Sequence, residues 1–161
     1  MREITLWGVC IIALLALQST VIPMLAVQGG KADLMLLVVV SAALIGGRNY
    51  GVAMGFSCGL LQDLAAGGFF GLHLLSKLTI GYALGMTEGK VYKDNRLLPI
   101  LAAGATSIAA GVLILLLLAM LGQKISWLNS LSNVILPSAA YNMVLALLVH
   151  RFMQRIFKVI E

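Results

Sequence analysis

Four ionisable side chains lie within or at the edges of strongly apolar stretches of the sequence: Asp33, Asp63, His73 and Lys77. A charged group near the middle of a bilayer costs at least about 2.5–3.5 kcal/mol, so such groups pair with one another or face a wet cavity. A carboxylate beside a histidine can transfer protons, but no third group with a recognisable catalytic role accompanies them. The sequence also lacks a nucleophile elbow, an HExxH motif, a P-loop and a dinucleotide fingerprint. We therefore expect these side chains to form a polar cluster that fixes the shape of the protein or contacts a partner. We do not expect the protein to be an enzyme.

The sequence predicts neither a metal site nor another cofactor. Its two cysteines, Cys10 and Cys58, each lie inside an apolar stretch, and no CxxC or Cys/His spacing typical of metal ligands is present. Buried thiols that act as small apolar side chains are the simpler interpretation. The basic residues occur singly at the ends of apolar stretches rather than in a patch with interleaved aromatic residues, which argues against nucleic acid as a partner.

Small and polar residues recur at every fourth position in two neighbouring stretches, and residues at i and i+4 share one face of a helix. The first stripe contains Gly51, Gly55, Gly59, Asp63 and Gly67, and the second contains His73, Lys77, Gly81, Gly85 and Gly89. A repeated small-xxx-small pattern lets two helix backbones approach closely, which is a main source of packing energy in lipid. The stripes therefore predict a closely packed pair of antiparallel helices.

The short glycine-rich loop between these two helices indicates a register in which positions equidistant from residue 70 meet. The pairs would be Gly51 with Gly89, Gly55 with Gly85, Gly59 with Gly81, and Asp63 with Lys77. This register predicts an ion pair between Asp63 and Lys77, with His73 at a similar depth. The alternative is that Asp63 caps its own helix in headgroup water while Lys77 reaches the surface alone.

Other polar residues have simpler predicted roles. Asp33 starts a helix and is expected to accept hydrogen bonds from the free N–H groups there. Asn142 and Gln18 are expected to form interhelical hydrogen bonds, each contributing about 0.6 kcal/mol on average. A further stripe of small residues, four apart, predicts a third closely packed helix; it consists of Ala103, Ser107 and Gly111.

The composition places these elements in a membrane. Of the 161 residues, 61% are apolar and 11% are charged, too few charges to cover the surface of a soluble domain of this size. The apolar stretches predict six spans, at about residues 4–22, 32–46, 50–65, 72–88, 97–121 and 131–153. Pro137 lies inside the last of them and predicts a kink. We therefore predict an all-α integral membrane protein, a single domain of residues 1–161 forming one six-transmembrane-helix bundle.

Lysine and arginine are distributed unevenly between the two sides that this topology defines. One side would carry Arg2, Arg48, Lys90, Lys93, Arg96, Arg151, Arg155 and Lys158, and the other side Lys31 and Lys124. Basic residues in short loops accumulate on the cytoplasmic side of a membrane. Both termini are therefore predicted to be cytoplasmic, and the polar cluster is predicted to lie near the outer leaflet.

The central segment of the chain resembles the rod shape-determining protein MreD family. That family has a helix ending in Leu-x-Asp, a glycine-rich turn, Gly-Leu-His and a Gly-Tyr-x-x-Gly helix. The matching residues here are Leu61 to Asp63, Gly67 with Gly68, Gly71 to His73, and Gly81 to Gly85. Two weaker matches lie outside this segment: Ala32-Asp33-Leu34, where the family has proline at the first position, and Pro137 to Asn142.

The resemblance implies a noncatalytic scaffold in the bacterial cytoplasmic membrane. Proteins similar to MreD associate with MreC, a single-pass protein with a large outer domain. They work with the actin-like MreB and with RodA and its penicillin-binding protein, which build side-wall peptidoglycan. We therefore expect MreC and membrane lipid as direct partners, and MreB, RodA and its penicillin-binding protein as indirect ones. Asp33, Asp63, His73 and Lys77 are the residues expected to contact a partner.

The resemblance also leaves a second function open. The fold expected for this family is similar to that of the substrate-binding subunits of energy-coupling-factor transporters, which capture a vitamin or other small molecule from outside. Such subunits dock through an Ala-x-x-x-Ala patch on their first helix. Here Ala13 and Ala16 are three positions apart, and this departure favours the scaffold.

Overall fold

The computed structural model describes residues 2–20, 22, 30–87 and 97–160. Its helices are α1 (Arg2–Thr20), α2 (Leu34–Ala66), α3 (Leu72–Gly85), α4 (Leu97–Met120), α5 (Trp127–Ser130) and α6 (Leu136–Ile160). Five residues of π-helix, Leu131–Ile135, join α5 to α6. The described residues are mostly helical and include no β-strand, so the predicted all-α class is confirmed.

The chain reverses direction inside α2, at Gly47. The backbone there has φ 76° and ψ −161°, outside the helical region and accessible to glycine at little cost. A Cβ placed on Gly51 would lie only 2.8 Å from the Cβ of Ala43, whereas in a straight helix these residues stand about 12 Å apart along the axis. α2 is therefore two antiparallel arms, the first arm (residues 34–46) and the second arm (residues 48–66), and their junction falls between the predicted spans 32–46 and 50–65.

The first arm of α2 forms the centre of the bundle. Every residue from Met35 to Ala43 is at most 3% exposed. A helix that is apolar on all sides is buried on all sides, and α2 contacts α1, α3, α4 and α6. In lipid this packing stabilises the fold through van der Waals contact and close backbone approach rather than through removal of apolar surface from water.

α4 packs mainly against α6. Gly104 leaves room for the side chain of Met143, and Gly111 for the side chain of Ile135. Two members of the predicted stripe face the same side, since Gly111 meets Ile135 in the π-helical turn and Ser107 bonds Asn142 on α6. Ala103, in the same stripe, is fully buried.

The predicted irregularity at Pro137 takes the form of a π-helical turn immediately before it. The N–H of Leu136 donates to the carbonyl oxygen of Leu131, five residues earlier. Proline lacks an N–H and is tolerated in the first turn of a helix, where that group has no intrahelical partner. α6 continues to Ile160, well past the predicted end at residue 153, because Met153 and Phe157 still pack into the core.

Three described helical segments are long and apolar enough to cross a membrane: Leu34–Ala66, Leu97–Met120 and Trp127–Lys158. A shorter apolar helix covers Trp7–Thr20. Their exposed positions carry large apolar side chains, such as Leu101 at 63% and Val144 at 77% exposure. Such a surface is suited to lipid and not to water.

Candidate functional site

Asp33 stands at the N-terminus of α2 and holds two different partners. Its Oδ1 accepts a hydrogen bond from the N–H of Leu36 at 2.9 Å, which caps the helix as the sequence predicts. Its Oδ2 accepts one from the Nζ of Lys77 at 2.6 Å, which makes an ion pair. The Lys77 side chain is 2% exposed and that of Asp33 is 23% exposed. The buried ammonium group thus meets its counter-charge at a helix end.

The ion pair predicted between Asp63 and Lys77 is wrong. The carboxylate of Asp63 instead accepts backbone N–H groups from Gly71 at 2.9 Å, His73 at 3.0 Å and Leu74 at 3.0 Å. These are free N–H groups at the start of α3, which have no intrahelical acceptor. Asp63 therefore caps the following helix, which differs both from the predicted pair and from the alternative in which it caps its own.

Two glycines in left-handed conformations make this cap possible. Gly67 has φ 63° and Gly71 has φ 101°, and they bracket the loop between α2 and α3. The loop folds back so that the first turn of α3 sits over the Asp63 side chain, which is 4% exposed. The Leu-x-Asp and Gly-Leu-His segments that carry the family resemblance are thus one hydrogen-bonded unit.

The predicted helix pair forms, but in a different register. Gly51 and Gly81 lie in direct backbone contact, and Gly85 lies against Arg48. A Cβ on Gly55 would come within 2.6 Å of the Lys77 carbonyl oxygen, and one on Gly59 within 2.5 Å of the Leu74 Cα. The register is therefore centred near residue 66 rather than residue 70, so each position on α2 meets a residue about eight positions earlier than predicted, and α3 is shifted by about two helical turns. Gly89, predicted to meet Gly51, lies outside the described residues.

Asn142 connects the N-terminus of α2 to α4. Its Oδ1 accepts the backbone N–H of Asp33 at 2.8 Å, and its Nδ2 donates to the Oγ of Ser107 at 2.7 Å. Ser107 in turn donates to the carbonyl oxygen of Ala103 at 2.6 Å. Asn142 is 1% exposed, so it makes an interhelical bond of the kind that the sequence predicts.

Gln18 on α1 provides a further hydrogen-bond acceptor for the N-terminus of α2. Its Oε1 accepts the N–H of Met35 at 3.0 Å. The backbone N–H groups of Asp33, Met35 and Leu36 are therefore all bonded to side chains, from α6, α1 and Asp33 itself. A helix that begins inside the bundle needs such partners, because unsatisfied N–H groups in an apolar medium cost several kcal/mol each.

An open cavity of about 460 Å³ lies above this helix end. Polar side chains from six segments line it: Gln18, Ser19, Lys31, Asp33, Gln62, His73, Ser107, Ser138 and Asn142. The remaining walls are mostly apolar, among them Leu15, Ile22, Ile114 and Ile135. Trp7 near the N-terminus and Phe157 near the C-terminus pack together, with their ring centroids 5.1 Å apart. Both termini therefore lie at one end of the bundle, and the cavity lies at the opposite end.

The unequal lengths of the two arms of α2 create this cavity. The two arms run in opposite directions from Gly47, the first over residues 34–46 and the second over residues 48–66. The second arm is thus six residues longer and extends about 9 Å further along the axis. The space that a longer first arm would occupy is left open, with the Asp33 carboxylate at its base.

Two side chains lining the cavity carry buried polar atoms with no hydrogen-bond partner among the described residues. These atoms are Oε1 of Gln62 and Nδ1 of His73. Buried polar atoms are nearly always bonded to protein or water. Two hydrogen-bonding atoms in the walls of the cavity are therefore left without a partner among the described residues.

Three of the four residues predicted as the polar cluster reach this cavity or its base, and the fourth supports it. Asp33 and His73 line the cavity, Lys77 pairs with Asp33 beneath it, and Asp63 holds the first turn of α3, which carries His73. Sequence reasoning missed Gln62, whose position one residue before Asp63 is the only signal for it. Among the described residues, no three His, Cys, Asp or Glu side chains form a group that could hold a metal ion.

An all-helical bundle with a lipid-compatible surface, a buried polar network and a cavity at one end defines a small membrane protein with a site for binding. The sequence pattern of one family, rod shape-determining protein MreD, matches residues 1–160, essentially the whole chain. The chain therefore belongs to the MreD family, which is involved in determining rod shape. Comparison with curated proteins and with solved structures found no match.

Proposed function

We propose that this protein is a noncatalytic membrane scaffold of the bacterial elongation machinery, which binds MreC and supports side-wall peptidoglycan synthesis through it. The whole-chain family match supports the setting. The observation that carries the binding role is the cavity above Asp33, with its apolar walls and a partly exposed carboxylate at its base. MreB, RodA and its penicillin-binding protein are indirect partners in this proposal.

The proposed topology has six passes through the cytoplasmic membrane and both termini in the cytoplasm. The reversal at Gly47 supports six passes, because it divides α2 into two arms of opposite direction. The excess of lysine and arginine at the end that carries the termini supports the orientation. The cavity then opens toward the outside, where MreC has its large domain.

The cavity suits a segment of polypeptide at the membrane surface. A chain entering it from MreC's transmembrane helix would place apolar side chains against Leu15, Ile114 and Ile135. Its backbone N–H groups would find an acceptor in the Asp33 carboxylate, which is 23% exposed at the base of the cavity. The polar network beneath keeps this surface in place, since Asp33, Asn142 and Ser107 bond one another.

Filling the cavity tests this proposal. Ala65 lines the cavity and is exposed, so Ala65→Trp blocks its mouth without forcing the core apart. The adjacent Leu64 is 64% exposed and does not line the cavity, so Leu64→Trp is the matched control. We expect copurification of MreC and rod shape to be lost with Ala65→Trp and kept with Leu64→Trp, at equal protein abundance. MreC recovery that is unchanged by Ala65→Trp overturns the cavity as the binding site.

One observation favours a second candidate, the substrate-capture subunit of an energy-coupling-factor transporter. The cavity volume of about 460 Å³ falls within the range of small-molecule sites, about 300–1,000 Å³. Mass spectrometry of the purified protein separates the two functions. A vitamin or similar small molecule bound stoichiometrically, and released by Ala65→Trp, would favour transport over the scaffold.

A further inference from the structure

A second depression, separate from the cavity, lies between α1 and α6. Its volume is about 650 Å³, and its lining is Val9, Cys10, Ala13, Leu14, Leu17, Phe152, Arg155 and Ile156. We call it the α1–α6 groove. Seven of these side chains are apolar or a thiol, and Arg155 alone among them carries a charge. The groove thus combines an apolar slot with one fixed cation.

The position of Arg155 along α6 places its charge at the level of lipid head groups. α6 begins at Leu136, and Arg155 is about 29 Å from that point along the axis. The hydrocarbon core of a bilayer is about 30 Å thick. With the start of α6 at one surface of the membrane, the guanidinium group reaches the head groups of the opposite leaflet.

The length of the groove matches one leaflet. Its α1 wall runs from Val9 to Leu17, a rise of about 12 Å. Half of the hydrocarbon core is about 15 Å deep. An acyl chain that starts below Arg155 therefore finds an apolar slot over most of its depth in that leaflet.

The Arg155 guanidinium has no hydrogen bond or ion pair with any residue that the structure describes, and its side chain is exposed. A guanidinium group binds phosphate through paired, parallel hydrogen bonds, and basic pockets between membrane helices bind anionic head groups. We propose that the α1–α6 groove binds one phospholipid with an anionic head group, its phosphate on Arg155 and an acyl chain beside Ala13. This site is independent of the proposed binding of MreC.

A second copy of the chain is a less suitable occupant. A copy seated symmetrically on the groove would bring two Arg155 side chains together, and no acidic side chain lines the groove to separate them. Like charges at close range repel, and the repulsion is strong next to lipid. Charge complementarity therefore favours lipid phosphate over another subunit.

Competition between two lipids tests the site on the full-length protein. The protein is placed in nanodiscs of equal parts phosphatidylglycerol and phosphatidylcholine, released into mild detergent, and analysed by native mass spectrometry. We expect one retained lipid, with phosphatidylglycerol favoured about fivefold, the effect of one basic residue near an anionic head group. Arg155→Gln is expected to remove that preference, and Arg155→Lys to reduce it.

The matched control is Lys158→Gln, because Lys158 lies at a similar depth on α6, is exposed and does not line the groove. It is expected to keep the preference. Ala13→Phe fills the slot and is expected to lower retention of both lipids. Equal retention of the two lipids by the unaltered protein overturns the proposal, as does an equal effect of Lys158→Gln and Arg155→Gln. A Cys10–Cys10 disulfide formed readily in membranes also overturns it, since the groove would then face a second copy.

Discussion

Lys77 on α3 lies 2.6 Å from the carboxylate of Asp33, which begins a different helix 44 positions earlier in the chain. This pair fixes where the first arm of α2 starts relative to α3. Because that start lies deep in the bundle, it also fixes the base of the cavity. One ion pair therefore links the packing of the glycine-lined helices to the proposed binding site.

Removing one member of this pair is expected to destabilise the protein unequally. Asp33→Asn leaves the Lys77 ammonium, 2% exposed, without a counter-charge, and we expect a loss of about 3 kcal/mol. Lys77→Met leaves Asp33 with its Leu36 bond and access to the cavity, and we expect a loss of about 1.5 kcal/mol. Equilibrium unfolding in mixed micelles measures both. Lys124→Met, at an exposed position, is the control and should change stability by less than about 0.5 kcal/mol. Equal losses for both variants would contradict the asymmetry.

The cap formed by Asp63 predicts additive behaviour with Lys77. Asp63→Ala leaves three N–H groups of α3 without an acceptor, and we expect a loss of about 2 kcal/mol or more. Since Asp63 and Lys77 share no hydrogen bond, the double variant Asp63→Ala with Lys77→Met should lose the sum of the two within about 0.5 kcal/mol. A coupling energy between Asp63 and Lys77 above about 1 kcal/mol would contradict this and would support the ion pair predicted from the sequence.

The sequence predicts the local features of this fold well, because local rules determine them. The role of Asp33 as a helix cap follows from its residue type and position, and the break at Gly47 falls between two apolar stretches that the sequence separates. The interhelical bonds of Asn142 and Gln18 follow from the rarity of isolated polar groups in lipid.

The register of α2 and α3 could not be predicted in the same way. Counting outward from the loop assumes that both helices end at the same height. The backbone N–H groups of Gly71, His73 and Leu74 move α3 instead, because they converge on Asp63. The Asp63 carboxylate is already bonded to these N–H groups, so the shifted Lys77 pairs with Asp33 instead. That Asp33 lies close to Lys77 depends on the packing of the whole bundle. The cavity could not be predicted either, because it results from the unequal lengths of the two arms of α2, which no single motif determines.

The close contact between the second arm and α3 makes its glycines intolerant of a methyl group. A Cβ on Gly55 would lie 2.6 Å from the Lys77 carbonyl oxygen, a backbone atom that cannot move alone. Gly55→Ala therefore forces the helices apart, and we expect a loss of about 2 kcal/mol in the micelle unfolding assay. Gly8→Ala on α1 is the control, because a Cβ there would meet nothing within 4 Å, and it should be neutral or slightly stabilising. A Gly55→Ala variant as stable as Gly8→Ala would show that the backbones are not in contact.

Water in the cavity, and the side of the membrane to which it opens, can be tested with paired cysteines on α4. Ile114 lines the cavity and is partly exposed, whereas Ile108, six residues earlier, does not line it and is 38% exposed on the apolar surface. A thiol must ionise to react with a maleimide, which requires contact with water. In a background with Cys10 and Cys58 replaced by alanine, we expect a membrane-impermeant maleimide added outside intact spheroplasts to label Ile114→Cys and not Ile108→Cys. Labelling of Ile114→Cys only after lysis would place the cavity on the cytoplasmic side and reverse the proposed topology. Equal labelling of the two thiols would mean that the cavity and the outer face of α4 are equally wet, which the buried network of Asp33, Asn142 and Ser107 argues against.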